Sequence, residues 1–80
     1  MLFNIVIVGH SRTGNNTQAL EVLNLMKESG VVPNTISYNS VIRAFGKNRN
    51  AIGAISLLEE MIKLVIHYLH WHYLHLYDLH

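Results

Sequence analysis

Apolar residues recur at helical intervals in the first half of the chain. Ala19, Val22, Leu23 and Met26 share one stripe, with Glu21, Lys27 and Glu28 on the other side. That spacing predicts a helix over residues 16–28, with Asn16 or Thr17 as its N-cap and Gly30 as the left-handed residue that ends it. Pro33 removes a backbone donor and pushes Val32 toward an extended conformation, so no helix runs through this junction. A second helical pattern opens just after it, with Ser37 or Thr35 placed to cap its first turn. The start of the chain is ambiguous on pattern alone. Ile5-Val6-Ile7-Val8 reads either as part of a helix or as a short buried β-branched strand.

The strand reading has a consequence for chemistry. A strand, a Gly-containing loop and a helix together cradle phosphates through backbone N–H groups at the helix N-terminus. Ser11-Arg12-Thr13-Gly14-Asn15-Asn16-Thr17 resembles the flavin-phosphate loop of flavodoxins, with one extra Asn before the closing Thr. It is not a nucleotide-triphosphate loop, because Asn15-Asn16 follow Gly14 where Lys and Ser or Thr are required. A doubly wound sheet also needs several strand–helix units, and the later sequence supplies none.

A self-comparison favours helices instead. Shifted by 35 residues, Phe3, Asn4, Val6 and Ile7 fall on Tyr38, Asn39, Val41 and Ile42. Gly9, His10 and Arg12 fall on Ala44, Phe45 and Lys47, and Asn15, Ala19, Leu20, Leu23 and Met26 on Asn50, Ala54, Ile55, Leu58 and Met61. The match keeps small opposite small, basic opposite basic and apolar opposite apolar. The loop-like segment has no phosphate-loop character in its second copy, Gly46-Lys47-Asn48-Arg49-Asn50. Each copy therefore reads as two short helices, over residues 2–12 and 16–28 and then 37–47 and 51 to about 63. Neither pair can bury its apolar stripe alone, so the two must stack. The expected fold is all-α: an α-solenoid of two helix-turn-helix repeats, residues 1–34 and 35–66, followed by an irregular or helical His-rich tail, residues 67–80.

Composition narrows the chemistry only slightly. Eighty residues, half of them apolar, suffice for one small core. The chain has no cysteine, which excludes disulfides and thiolate metal sites, and its net charge of +1 makes no electrostatic case for nucleic acid or membrane. The apolar N-terminus lacks the basic leader and cleavage site of a signal peptide and the Arg- and Ser-rich character of a transit sequence. No nucleophile–base–orienter set is visible. His10 is the one histidine inside the repeats, and its counterpart Phe45 marks a packing position, so neither catalysis nor a cofactor is expected.

Period and motif together resemble the pentatricopeptide repeat family of organellar RNA-binding α-solenoids. The resemblance rests on Phe3-Asn4, Ala19-Leu20, Leu25-Met26-Lys27-Glu28-Ser29-Gly30-Val31 and Pro33-Asn34, then on Tyr38-Asn39-Ser40-Val41-Ile42 and Ala54-Ile55-Ser56-Leu57-Leu58-Glu59-Glu60-Met61. It covers residues 1–66. The tetratricopeptide repeat, a protein-binding relative, fits less well in period and in its Trp/Leu/Gly/Tyr pattern.

The resemblance implies one RNA base read per repeat. Asn4 and Asn39 match the position whose amide faces a Watson–Crick edge, and Asn34 matches the residue that acts with Asn4 on one base. An Asn-Asn pair in this family reads pyrimidines, cytosine first. Met1 and Ile36 match the apolar positions that sandwich the base, and Arg12 and Lys47 the basic position near the phosphates. Taken without the family, Asn4 and Asn39 could be helix caps, and Arg12 and Lys47 solvated charges at helix C-termini. The implied location is a mitochondrion or chloroplast, and the implied partner is single-stranded RNA, in organellar RNA processing, stability, editing or translation. A protein-interaction repeat using the same concave face is the alternative.

The second copy loses the pattern after Met61. Gly30, Pro33 and Asn34 have Val65, Tyr68 and Leu69 as counterparts, so Asn39 lacks a reading partner. One sandwiched base contributes roughly 1–3 kcal/mol, against an estimated cost of about 4–15 kcal/mol for holding a partner at all. Weak binding as part of a longer array follows. The tail repeats His-Tyr-Leu-His, and His67 with His70 and His72 with His75 form two same-face pairs. The pairs are rotated by about 140° on a helix, so they close no four-ligand metal face. Polar groups every few residues also argue against a membrane span.

Overall fold

The computed structural model describes residues 2–78, which form four helices: α1 (Phe3–Arg12), α2 (Asn16–Glu28), α3 (Thr35–Lys47) and α4 (Ala51–Asp78). No strand occurs among the described residues. Ile5, Val6, Ile7 and Val8 lie inside α1, which removes the strand that the flavin-phosphate reading requires.

The turns explain why the helices stop where they do. Gly14 (φ +72°) follows the α1 C-cap Thr13, and its N–H and that of Asn15 bond back to Ser11 O at 3.0 Å and His10 O at 2.9 Å. Gly30 (φ +80°) closes α2 in the same way, with Gly30 N to Lys27 O at 3.0 Å and Val31 N to Met26 O at 3.1 Å. Both are paired-bond C-terminal motifs that require a left-handed residue. The third such turn, after α3, places Arg49 in that role at φ 57°.

The helix starts differ from expectation. The N-cap of α2 is Asn15 rather than Asn16 or Thr17, and its amide donates to Gln18 Oε1 at 2.7 Å instead of capping. α3 begins at Thr35, two residues ahead of the expected start, and its cap is Asn34, with Ser37 at the third helical position completing a reciprocal capping box. The largest difference is α4. It continues well past residue 63 as one 28-residue helix, so no element boundary falls between residues 66 and 67. The reason is that no Gly, Pro or Asn follows Gly53, whereas Gly30, Pro33 and Asn34 stop α2.

α3 packs against all three other helices, while the backbone of α4 approaches α3 alone. Ile7, Ala19, Leu23, Tyr38 and Val41 form the buried centre, with Phe3, Met26, Phe45 and Leu57 around it. The Ser11 hydroxyl, buried between α1 and α3, donates to Ser40 O at 2.5 Å, so this polar group costs no unmet hydrogen bond. Gly53 lets α4 press onto the Phe45 ring: a Cβ there would sit 2.5 Å from Phe45 Cδ1.

Candidate nucleic-acid interface

Two asparagines thirty residues apart meet at the junction of the repeats. Pro33 and the extended Asn34 backbone (φ −110°, ψ −173°) end the linker and start α3, so the Asn34 amide lies over the first turn of that helix. Asn4, in the first turn of α1, faces the same point because α1 packs along α3. Asn4 Nδ2 donates to Asn34 Oδ1 at 3.2 Å. Asn34 Oδ1 also accepts the Ser37 N–H at 3.1 Å, and the Asn34 N–H donates to Ser37 Oγ at 3.1 Å.

Ser37 fixes which way the amides point. It is fully buried, and its hydroxyl donates to Asn4 Oδ1 at 2.5 Å. That hydroxyl has one proton, and the longer approach to Asn34 Oδ1 at 3.0 Å is the weaker claim on it. Both amide oxygens thus accept hydrogen bonds within this cluster. The Asn34 Nδ2 group and the second N–H of Asn4 take no part in these bonds. The sequence marked Ser37 as a cap, not as the residue orienting this pair. The signal was its position three residues after an Asn.

Alongside this junction, α1 and α3 enclose a shallow depression of about 330 Å³ lined by Val8, Arg12, Ile36, Asn39, Arg43 and Lys47 among others. The structure therefore gathers Arg12, Lys47, Ile36 and Asn39 on one surface, with Ile36 56% exposed at its edge. Met1 lies outside the described residues. Asn39 is exposed, and Leu69, its counterpart of Asn34, does not line this depression but a neighbouring cleft that it shares with Asn34 and Thr35. Lys47 has a second engagement: its Nζ donates to Arg12 O at 3.2 Å and Ser11 O at 3.4 Å, neutralising the carbonyl end of α1. Arg43 escaped the sequence reading because its counterpart is Val8. Its place one turn before Lys47 was the available clue.

A separate polar cluster ties α2, α3 and α4 together on the opposite edge. Lys27 and Glu60 form an ion pair, Tyr38 Oη donates to Glu60 Oε1 at 3.4 Å, and the Lys27 ammonium lies 5.5 Å from the Tyr38 ring centre. Burial works against the Lys27 ammonium, but the hydrogen bond and charge of Glu60 outweigh it and raise its pKa above the ordinary lysine value. Burial, and then the Glu60 carboxylate, push the Tyr38 phenol up as well, against the opposing charge of Lys27.

Two histidines of α4 pack against aromatic rings. Tyr68 and His72 stack at 6.1 Å with planes 7° apart, and the Trp71 and His75 ring centres are 4.0 Å apart. Among the described residues no group of three or more His, Asp or Glu side chains is placed to hold a metal ion, His67, His70, His72 and His75 included. No helix there is long and apolar enough to cross a membrane.

Known sequences agree with this architecture. The pattern of the PPR repeat family matches residues 1–47, and that of the single PPR repeat matches residues 36–65. A pentatricopeptide repeat-containing protein of Arabidopsis thaliana is 35% identical over 63 residues, covering 79% of this chain and 11% of its own length. A second from the same plant, named as chloroplastic, is 36% identical over 60 residues, covering 74% of this chain and 7% of its own length. The chain thus spans about a tenth of the relatives it matches. No solved structure matches it.

Proposed function

The chain belongs to the pentatricopeptide repeat family, and from that premise we propose that it binds single-stranded RNA as a segment of a longer repeat array. Asn4 and Asn34 read one base, Ile36 and Met1 flank it by stacking, and Arg12, Lys47 and Arg43 attract the phosphates. The observation that carries this reading is the 3.2 Å bond between Asn4 and Asn34, which joins two amides on one solvent-facing spot. Asn39 begins a second pair that α4 does not complete, because Leu69 carries no hydrogen-bonding group.

The amide donors left over at Asn4 and Asn34 favour cytosine. Cytosine presents two adjacent acceptors, O2 and N3, on its Watson–Crick edge, whereas uracil places an N–H between its two carbonyls and meets the donors head-on. The basic groove adds affinity that depends on salt and not on sequence. With one complete pair, binding is weak and belongs to an array in a mitochondrion or chloroplast, serving RNA processing, stability, editing or translation.

Fluorescence titration of labelled oligocytidine and oligoadenosine against the chain fused to further repeats tests this. Asn4→Ala and Asn34→Ala are expected to abolish the cytosine preference while leaving the salt-dependent component. An unchanged preference contradicts the assignment of the pair.

A further inference from the structure

α4 does not stop where α2 stops, and its over-run builds a cleft against the linker. α2 ends at Glu28 and the chain turns away through Gly30 and Pro33, whereas α4 runs past the corresponding Lys63 to Asp78. Residues 32–35 line one side of the space between them, and Val65, Tyr68, Leu69 and Trp71 line the other. The cleft measures about 740 Å³, within the range of sites that hold small molecules or parts of larger ones.

The lining decides what fits. Among the described residues that form the cleft there is no Asp, Glu, Lys or Arg, so an ion or a charged side chain finds no partner there. Tyr68 and Trp71 are 63% and 51% exposed and offer flat aromatic faces. Each ring has a histidine ring beside it one turn on, His72 at 6.1 Å from Tyr68 and His75 at 4.0 Å from Trp71. Such walls suit a flat, uncharged aromatic guest. The cleft also has a polar end. Asn34 lines it, and the Asn34 Nδ2 group takes no part in the bonds with Asn4 and Ser37. An NH2 group has two donors, so one serves the base read with Asn4 and the other remains for a neighbouring guest. Thr35 lines both this cleft and the depression that holds Arg43 and Lys47, which puts basic side chains next to the apolar space. An alkyl chain or an apolar helix would use neither the donor nor the basic side chains. A nucleotide uses both: an uncharged ring plane, acceptors on its edge and an anionic backbone.

From this we infer that the cleft is a stacking site for a second RNA base, the neighbour of the one read by Asn4 and Asn34, with Tyr68 and Trp71 as its platform. The inference rests on the RNA-binding reading above. It gives Leu69 a place as well. Standing where the pattern expects a reading residue, it carries no hydrogen-bonding group, so this base is held by its face and adds affinity with little regard to its identity.

A nitrogen–proton NMR spectrum of the 80-residue chain tests this, because Trp71 is its single tryptophan and gives one indole signal. Oligocytidine should shift the indole together with the Asn4 and Asn34 amides, and should quench Trp71 fluorescence. An abasic sugar-phosphate oligomer of the same length should leave the indole unmoved. Tyr68→Leu keeps an apolar helix without the ring, and is expected to weaken the indole titration by about fivefold or more. Tyr68→Phe should titrate like the unchanged chain, and so should His70→Ala, which lies off the cleft. Asparagine amides that shift without the indole overturn the stacking site and leave the reading pair standing. An indole that shifts alone supports the cleft and contradicts the reading pair, and no shift in either overturns both. An equal response to the abasic oligomer, or a titration indifferent to Tyr68→Leu, overturns the inference. So does an indole shift produced by concentrating the chain alone or by phosphatidylcholine vesicles, since another occupant then fills the cleft.

Discussion

The two repeats carry nearly the same residues in the same order and bury them differently. Leu23 is fully buried, while its counterpart Leu58 is 41% exposed; Ile7 is fully buried, while Ile42 is only partly covered. The cause is not the residue but what stacks on it. Repeat one is covered by α3, whereas nothing among the described residues covers the matching face of repeat two. In a solenoid the core belongs to the interface between repeats, so a repeat's stripe predicts where its neighbour sits, not whether it is present.

That contrast can be broken most strongly at the paired leucines. Leu23→Ala is expected to cost about 3 kcal/mol of unfolding free energy, in the usual range for a buried leucine. Leu58→Ala is expected to cost less than about 1 kcal/mol. Urea unfolding followed by circular dichroism measures both. Equal costs would mean that Leu58 is buried in solution.

The second contrast is Gln18 in repeat one against Gly53 in repeat two. Gly53→Ala would ordinarily stabilise a helix, but the new Cβ meets the Phe45 ring at 2.5 Å. A net loss of about 1–2 kcal/mol is expected in the same unfolding assay. The third is Gly14 against Arg49, two residues in the same left-handed turn position. Arg49→Gly is expected to stabilise the chain by about 1 kcal/mol, because it removes the Cβ from that conformation.

The smallest effect concerns Lys27, Tyr38 and Glu60, which join repeat one to repeat two. Lys27 and Tyr38 both have raised pKa values in the folded chain. A raised value means that the stabilisation is fully present below the unfolded pKa and is lost as pH rises through the folded one. Stability should therefore hold steady from neutral pH and decline above about pH 10, where unfolded Lys and Tyr titrate. Lys27→Met should flatten part of that decline, measured as the urea midpoint against pH.

Much of this fold is legible in the sequence, because a period of 35 residues with matching small, basic and apolar positions leaves few alternatives. Gly14 and Gly30 gave the turns for a physical reason, the left-handed backbone. The run of α4 to Asp78 was obscured by the aromatic and histidine content of residues 67–76, although the lack of any breaker after Gly53 carried the information. At the candidate site, Asn4 and Asn34 were placed as a pair by the family pattern, and the structure brings them to 3.2 Å. That Asn34 is at the same time the cap of α3, and that Ser37 turns both amides, depended on geometry across thirty residues. Periodicity carries no such information.

The donor face of Asn4 and Asn34 is the central claim, and the side-chain amide signals of these residues in a nitrogen–proton NMR spectrum test it most directly. Adding oligocytidine should shift both signals more than oligoadenosine does. Asn34→Asp replaces the Asn34 donors with a carboxylate acceptor, and should transfer the preference to oligouridine, whose N3–H then has a partner. Amide signals that ignore the base, or a cytosine preference that survives Asn34→Asp, would contradict the account.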